Sequence, residues 1–336
     1  MHIGKSYKLS DFLKWTRKNI YTLIILGFIP VLLYHVLDLK WLAIPWTVVS
    51  LLGTATAFIV GFKNTQTYSR TWDAHGVWTG IVSTSRIWAI ACRDYLHDMD
   101  KTRLLYYRHF AWLTALRHQM RENRVWEVQD KRANSEYQRY YYSIPERAMT
   151  IEGALAQHLP EDELAYICSV NNKAAQILSL QSQTLKELYD SQVIVPAQFL
   201  DMERAISTLY TLQAQCESVK ETPYPRQYSI INTIFVWIFC FLLPFGMLQE
   251  FDKLNNSVTG FMQGHMIWLV VPFSVLISWM YTSLVQVGES TENPFEGSAN
   301  DVPISQICRT IEIDLREMLG ETVLPPPLEA ENDILV

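Results

Sequence analysis

Charge is scarce in this sequence. Of its 336 residues only 18% are Asp, Glu, Lys or Arg, where a soluble domain carries about a quarter. Cysteine is sparse and unpatterned: Cys92, Cys168, Cys216, Cys240 and Cys308 form no C-x-x-C pair, which leaves a zinc ribbon, a dithiol redox centre and a disulfide framework without support. The eight histidines make no H-E-x-x-H pair, and there is neither a G-x-x-x-x-G-K-[ST] loop nor a G-x-S-x-G elbow. No metal, cofactor or enzymatic activity is therefore expected. Positive charge is in deficit: the net charge of −6 gives no global attraction to a polyanion. Arg139 and Tyr140–Tyr141–Tyr142 lack the basic stripe that base stacking would accompany, so they read as a packing or oligomer surface. No nucleic-acid partner is expected. Val-rich alternating runs are missing as well, which argues against sheet.

What the chain does have is apolar length. Residues 19–37, 41–62, 228–249 and 266–287 contain no Asp, Glu, Lys or Arg, and each approaches or exceeds the roughly 20 residues a helix needs to cross a bilayer. Each holds one proline, Pro30, Pro45, Pro244 or Pro272, which membrane helices tolerate when neighbours satisfy the freed carbonyls. Buried helices of a large soluble protein are the rival reading. Residues 1–18 carry Lys5, Lys8, Lys14, Arg17 and Lys18 against Asp11 alone, while residues 38–40 and 250–265 hold one lysine each. Basic residues concentrate on the cytoplasmic side, so both termini are expected inside. A signal peptide is disfavoured by the long apolar run and the lack of a small-residue cleavage site.

The expected organisation is a cytoplasmic N-terminus (1–18), two membrane helices (19–63), a cytoplasmic helical domain (64–227), two more membrane helices (228–288) and a cytoplasmic acidic tail (289–336). Residues 63–227 hold 19 basic and 19 acidic side chains, a balance suited to water. Helical spacing recurs in Ile81–Trp88–Ala91–Tyr95, Tyr106–Phe110–Leu113–Leu116 and Ile206–Leu209–Leu212. Pro196 suits a helix's first position, and Pro223 with Pro225 would end that helix before the third span. The tail has 11 acidic residues against Arg309 and Arg316, one helix expected over 304–319, and an extended Pro325–Pro326–Pro327.

The informative segment lies in the second span and just beyond it. Thr54, Phe58 and Phe62 follow at i, i+4 and i+8, one helical stripe. Gly53, Ala55, Ala57 and Gly61 between them would let helices approach closely. Past Phe62 the chain turns polar through Asn64, Thr65, Gln66 and Thr67. Such a helix suits a conduit, although spacing alone favours an ordinary packed helix with a Phe stripe in its core.

The run Gly61-Phe62-Lys63-Asn64-Thr65, continuing through Tyr68-Ser69-Arg70-Thr71-Trp72, resembles the signature of the bestrophin family, especially its bacterial branch. Glu292-Asn293-Pro294-Phe295 and Ala299-Asn300-Asp301-Val302-Pro303 resemble a second family motif. The resemblance covers residues 5–325. It implies an all-α membrane protein with four transmembrane helices and a large helical cytoplasmic domain, assembled as a homopentamer around a central pore. It also implies a gated ion channel of the cell membrane (plasma or inner), with chloride conducted by animal members. Carried over by position, Thr54, Phe58 and Phe62 fall on the three pore-facing neck positions. Five copies would form stacked rings able to gate by dewetting, and edge-on phenyls would favour anions. Thr54 departs from the family's bulky aliphatic residue, so the outer neck should wet more readily. The family's cytosolic aperture falls at Ile194 or Ala197, where a plain helix start at Pro196 reads equally well. The calcium clasp of animal members is expected to be absent, since Glu296 and Asp301 are few oxygens for a cation that takes six to eight. Asp301 is expected to cap a helix or pair with a basic residue.

The expected function is passive conduction of small monovalent ions, chloride favoured, with the bilayer, inorganic ions and further copies of the chain as partners. A monovalent-cation channel of the same fold and a membrane-anchored scaffold or sensor without conductance are the alternatives. A lipid enzyme would have to rely on His35, His265 and Asp38. His35 reads better as an interfacial residue whose polar tip reaches water.

Overall fold

The structure is a computed structural model that describes residues 1–127, 132–260 and 262–336. Among these, regular secondary structure is helical apart from two isolated bridge pairings. The chain forms two compact units. One comprises residues 5–69 and 224–292, the span unit. The other comprises 1–4, 70–223 and 293–336, the insert unit.

Four helices supply the apolar spans: α1 (Leu9–Val36), α2 (Trp46–Tyr95), α10 (Arg226–Lys253) and α11 (Val270–Ser290). α1 begins ten residues before its uncharged stretch, because Asp11, Lys14, Arg17 and Lys18 interrupt apolarity without interrupting the helix. Pro30 and Pro244 lie inside helices. Pro45 instead precedes α2, and Pro272 falls in the first turn of α11, where a missing N–H breaks no bond.

In the span unit α1, α10 and α11 pack on one another, and α2 closes on α10 through two glycines. A Cβ on Gly53 would stand 2.7 Å from the Phe239 ring, and one on Gly246 would stand 2.7 Å from Val49. The Tyr281 hydroxyl donates to the Gly53 carbonyl at 3.2 Å. In the single chain only 22% to 44% of the most apolar window of each span helix is buried. Ile25, Leu51, Phe241 and Leu276 all stand exposed. The rival reading required these spans to be the interior of a soluble protein, and they are not its interior.

Beside part of α2, the insert unit holds α3 (Met99–Arg121), α4 (Arg132–Tyr141), α5 (Pro145–Ala148), α6 (Ile151–Leu155), α7 (Glu161–Ser169), α8 (Lys173–Asp190), α9 (Pro196–Glu221) and α12 (Ile304–Met318). The breakers act where their chemistry predicts: Pro145 and Pro196 open helices, Pro160 immediately precedes one, and α9 ends at Glu221 ahead of Pro223. The core is aromatic, with Trp78, Trp88, Tyr106 and Trp112 fully buried. Some of its polar groups are paired: Trp112 Nε1 donates to Gln213 Oε1 at 3.0 Å, and Arg108 holds Glu163 through two bonds of 2.9 and 2.7 Å, whereas the indole nitrogens of Trp78 and Trp88 are buried without a hydrogen-bond partner among the described residues. Tyr142 is buried and donates to the Gly297 carbonyl at 3.0 Å, whereas Tyr140 is exposed. The cysteines are free thiols.

Candidate functional site

α2 is one unbroken helix of 50 residues, about 75 Å at roughly 1.5 Å per residue. That is far more than the hydrocarbon thickness of about 30 Å. Along the span it has two opposite faces. Gly53, Thr56, Val60, Lys63 and Thr67 are buried, at alternating spacings of three and four. Thr54, Phe58, Phe62 and Thr65 are exposed, and Phe58 and Phe62 are 65% and 68% accessible in the single chain. At about 100° per residue the two stripes point in opposite directions. The packed-helix reading needed the phenyl groups in a core, and within one chain they are outside it.

Thr54, Phe58 and Phe62 line an open groove of about 740 Å³ together with Trp46, Phe239 and Tyr281. Its floor includes Gly53, Ala57 and Gly61. The Thr54 hydroxyl donates to the Ser50 carbonyl at 3.0 Å, so the side chain already has a partner on its own helix. The polar continuation is likewise partly self-satisfied: Thr65 donates to the Gly61 carbonyl at 3.0 Å.

Behind the exposed stripe sits a buried ion pair that sequence reasoning missed. Lys63 Nζ is 3.0 Å from Glu292 Oε2, with the two side chains 2% and 1% exposed. Lys63 also donates to Ser229 Oγ at 3.0 Å, and that hydroxyl donates onward to Glu292 Oε2 at 3.3 Å. Arg226 Nη1 reaches Glu292 Oε1 at 3.3 Å. One turn on, Thr67 and Thr291 hydroxyls meet at 3.1 Å. The helical phase of Lys63, three residues after Val60 and seven after Thr56, was the signal that it faces inward.

The two aperture candidates part company. Ile194 is 2% exposed and belongs to the core of the insert unit, whereas Ala197 is exposed in the first turn of α9. Gln198 accepts the Val195 N–H at 2.9 Å and fixes that helix start. Asp301 is buried and pairs with a basic residue, as one of the two expectations had it, rather than capping α12, whose N-cap is Pro303. Its oxygens accept the N–H groups of Phe295 (2.9 Å), Gly297 (2.7 Å) and Val302 (2.7 Å) and the Arg121 guanidinium at 3.0 Å. These contacts hold Phe295 and Gly297 in left-handed conformations, φ 72° and 88°, and engage Asp301 with N–H donors rather than leaving it free for a cation. His35 packs edge-on to Trp268 at 5.7 Å, and Asp38 pairs with Lys40 at 3.6 Å.

The family model for the bacterial/fungal bestrophin protein matches residues 13–317. This chain belongs to the bestrophin family. Among curated proteins the bestrophin is similar to the voltage-dependent anion channel-forming protein YneE of Escherichia coli K12, at 26% identity over 292 residues, 87% of this chain and 82% of the relative. It is also similar to the voltage-dependent anion channel-forming protein mll4386 of Mesorhizobium japonicum, at 27% identity over 84% of this chain and 77% of the relative. The crystal structure of a bacterial bestrophin homologue from Klebsiella pneumoniae shares its fold, with a TM-score of 0.76 at 23% identity, covering 91% of this chain and 99% of that one. The bestrophin is thus an all-helical member of a family that includes proteins named as anion channels, with four helices long and apolar enough to span a membrane among the described residues.

Proposed function

We propose that five copies of this bestrophin surround a common axis in the cell membrane and passively conduct small monovalent anions, chloride foremost. Thr54, Phe58 and Phe62 would form the neck. The observation that carries this reading is the pair of exposed phenyl groups on the face of α2 opposite its packing face. Two such rings over a floor of glycine and alanine are open to cover by lipid or by further copies of the chain. Five copies facing inward would provide it while leaving a narrow, dewettable passage. The names of the relatives support anions over cations, as does the positive edge of a phenyl ring. Residues 64–227 and 289–336 would lie in the cytoplasm with both termini, and Ala197 would be the aperture residue of that domain.

The deciding measurement is reversal potential across a bilayer holding purified protein under a chloride gradient. Reversal at the chloride equilibrium potential is expected, with a larger unit conductance for Phe58→Ala. Reversal at the potassium potential would convert the reading to a cation channel of the same fold. Silent bilayers containing intact pentamers would favour a scaffold. Unaltered conductance and selectivity in Phe58→Ala would remove that residue from the pore.

A further inference from the structure

We propose that the buried Lys63–Glu292 ion pair is a positioning latch for the neck, holding α2 at the rotation that keeps Phe58 and Phe62 facing the ion path. The inference rests on the conduction reading above and adds to it the residues that control how often the path is open.

The placement is what gives the pair this leverage. Lys63 directly follows Phe62 and, at about 100° per residue, faces away from the groove. Glu292 lies two residues past the end of α11, and Ser229, which bonds both, lies in the first turn of α10. The pair therefore ties the lower end of the neck stripe to two other helices of the span unit. Thr67–Thr291 and the bond from Asn64 Nδ2 to the Leu284 carbonyl at 3.1 Å reinforce the same seam. A buried charge that loses its partner is held at high cost. The ammonium of Lys63 lowers that cost by turning toward water, and α2 turning that way carries Phe62 off its line.

The arrangement is asymmetric, which makes the test specific. Without Lys63, Glu292 keeps Arg226 at 3.3 Å. Without Glu292, the Lys63 ammonium keeps the neutral hydroxyl of Ser229 as a hydrogen-bond partner, with the Tyr224 ring 5.8 Å away. Single-channel recording of the assembled protein should give Glu292→Gln an open probability about tenfold above wild type, and Lys63→Met a rise of about threefold. Unit conductance should be unchanged in both, because neither residue lines the groove. Lys63→Arg should behave as wild type. The double variant Lys63→Met/Glu292→Leu, which removes the charge that seeks water, should fall below Glu292→Gln alone.

A pair with a merely structural role would lower the yield of assembled protein and leave the open probability of the surviving channels at the wild-type value. That outcome overturns the latch, as does a double variant whose effect is the sum of the singles. Should Glu292→Gln fail to assemble, Lys63→Met decides, since its remaining carboxylate is still paired; an unchanged open probability there is equally fatal. Silent wild-type bilayers would sink conduction and latch together. Conducting wild type with unmoved variants would sink the latch alone.

Discussion

The two units use the same apolar residue types and dispose of them in opposite ways. In the insert unit Trp78, Trp88 and Trp112 are fully buried, and even its buried ions are paired, as Arg108 is with Glu163. In the span unit Trp41 is 78% exposed, and Ile25, Leu51, Phe241 and Leu276 face outward with it. A helix that must meet hydrocarbon has no reason to hide its apolar side chains. Its interior is marked instead by small residues and hydrogen bonds, here Gly53 against Phe239 and Tyr281 against the Gly53 carbonyl. Apolarity identifies a core only when the solvent is water.

That contrast breaks first at Trp112. Trp112→Ala empties a fully buried site and takes the indole donor from Gln213 Oε1, so a loss of about 3–5 kcal/mol is expected, read as a large fall in melting temperature of the detergent-solubilised protein. An effect below about 1 kcal/mol would mean that the insert unit does not rest on this core. A smaller effect lies in acid. Burial pushes the His109 imidazole from 6.5 down to about 3, so the folded ring stays neutral while the unfolded one takes up a proton below pH 6.5. Stability from this group is complete above pH 6.5 and declines as pH falls toward 3, by roughly 2 kcal/mol at pH 5. His109→Gln should flatten that decline in melting curves collected between pH 7 and pH 5. A decline of undiminished slope would place the acid sensitivity elsewhere, with His158, whose imidazole burial lowers to about 4, next in line. The smallest effect belongs to the span unit: Ile25→Ala, on an exposed stretch of α1, should shift stability by no more than about 0.5 kcal/mol. A loss comparable to that of Trp112→Ala would show that this face is covered by protein rather than lipid.

Much of this contrast was legible beforehand, because spans and helix starts are local. Uncharged length marked the four helices long and apolar enough to cross a membrane, and Pro196, Pro223 and Pro225 bounded α9 as their missing N–H groups require. The phase of Thr54, Phe58 and Phe62 put them on one stripe, but whether that stripe faced in or out depended on Gly53 and Gly246 meeting α10 from the other side. Uncharged length bounds a span but not a helix, as α1 shows by running on through Lys14 and Arg17. What stayed hidden was long-range pairing. Lys63 finds Glu292, and Arg121 finds Asp301, across separations that no local pattern encodes. Ile194 shows the same limit: a residue one step from an exposed Val195 is claimed by the core because of neighbours far along the chain.

α2 carries no proline anywhere between Trp46 and Tyr95. Sharp kinks in helices arise at proline, at bulges or at inserted groups, so this element has been given no joint at which to fold. Within the span unit, a turn of α2 about its own axis would turn Phe58 and Phe62 with it. In the proposed channel the two phenyl groups would therefore ride on a helix that has no proline joint beside them.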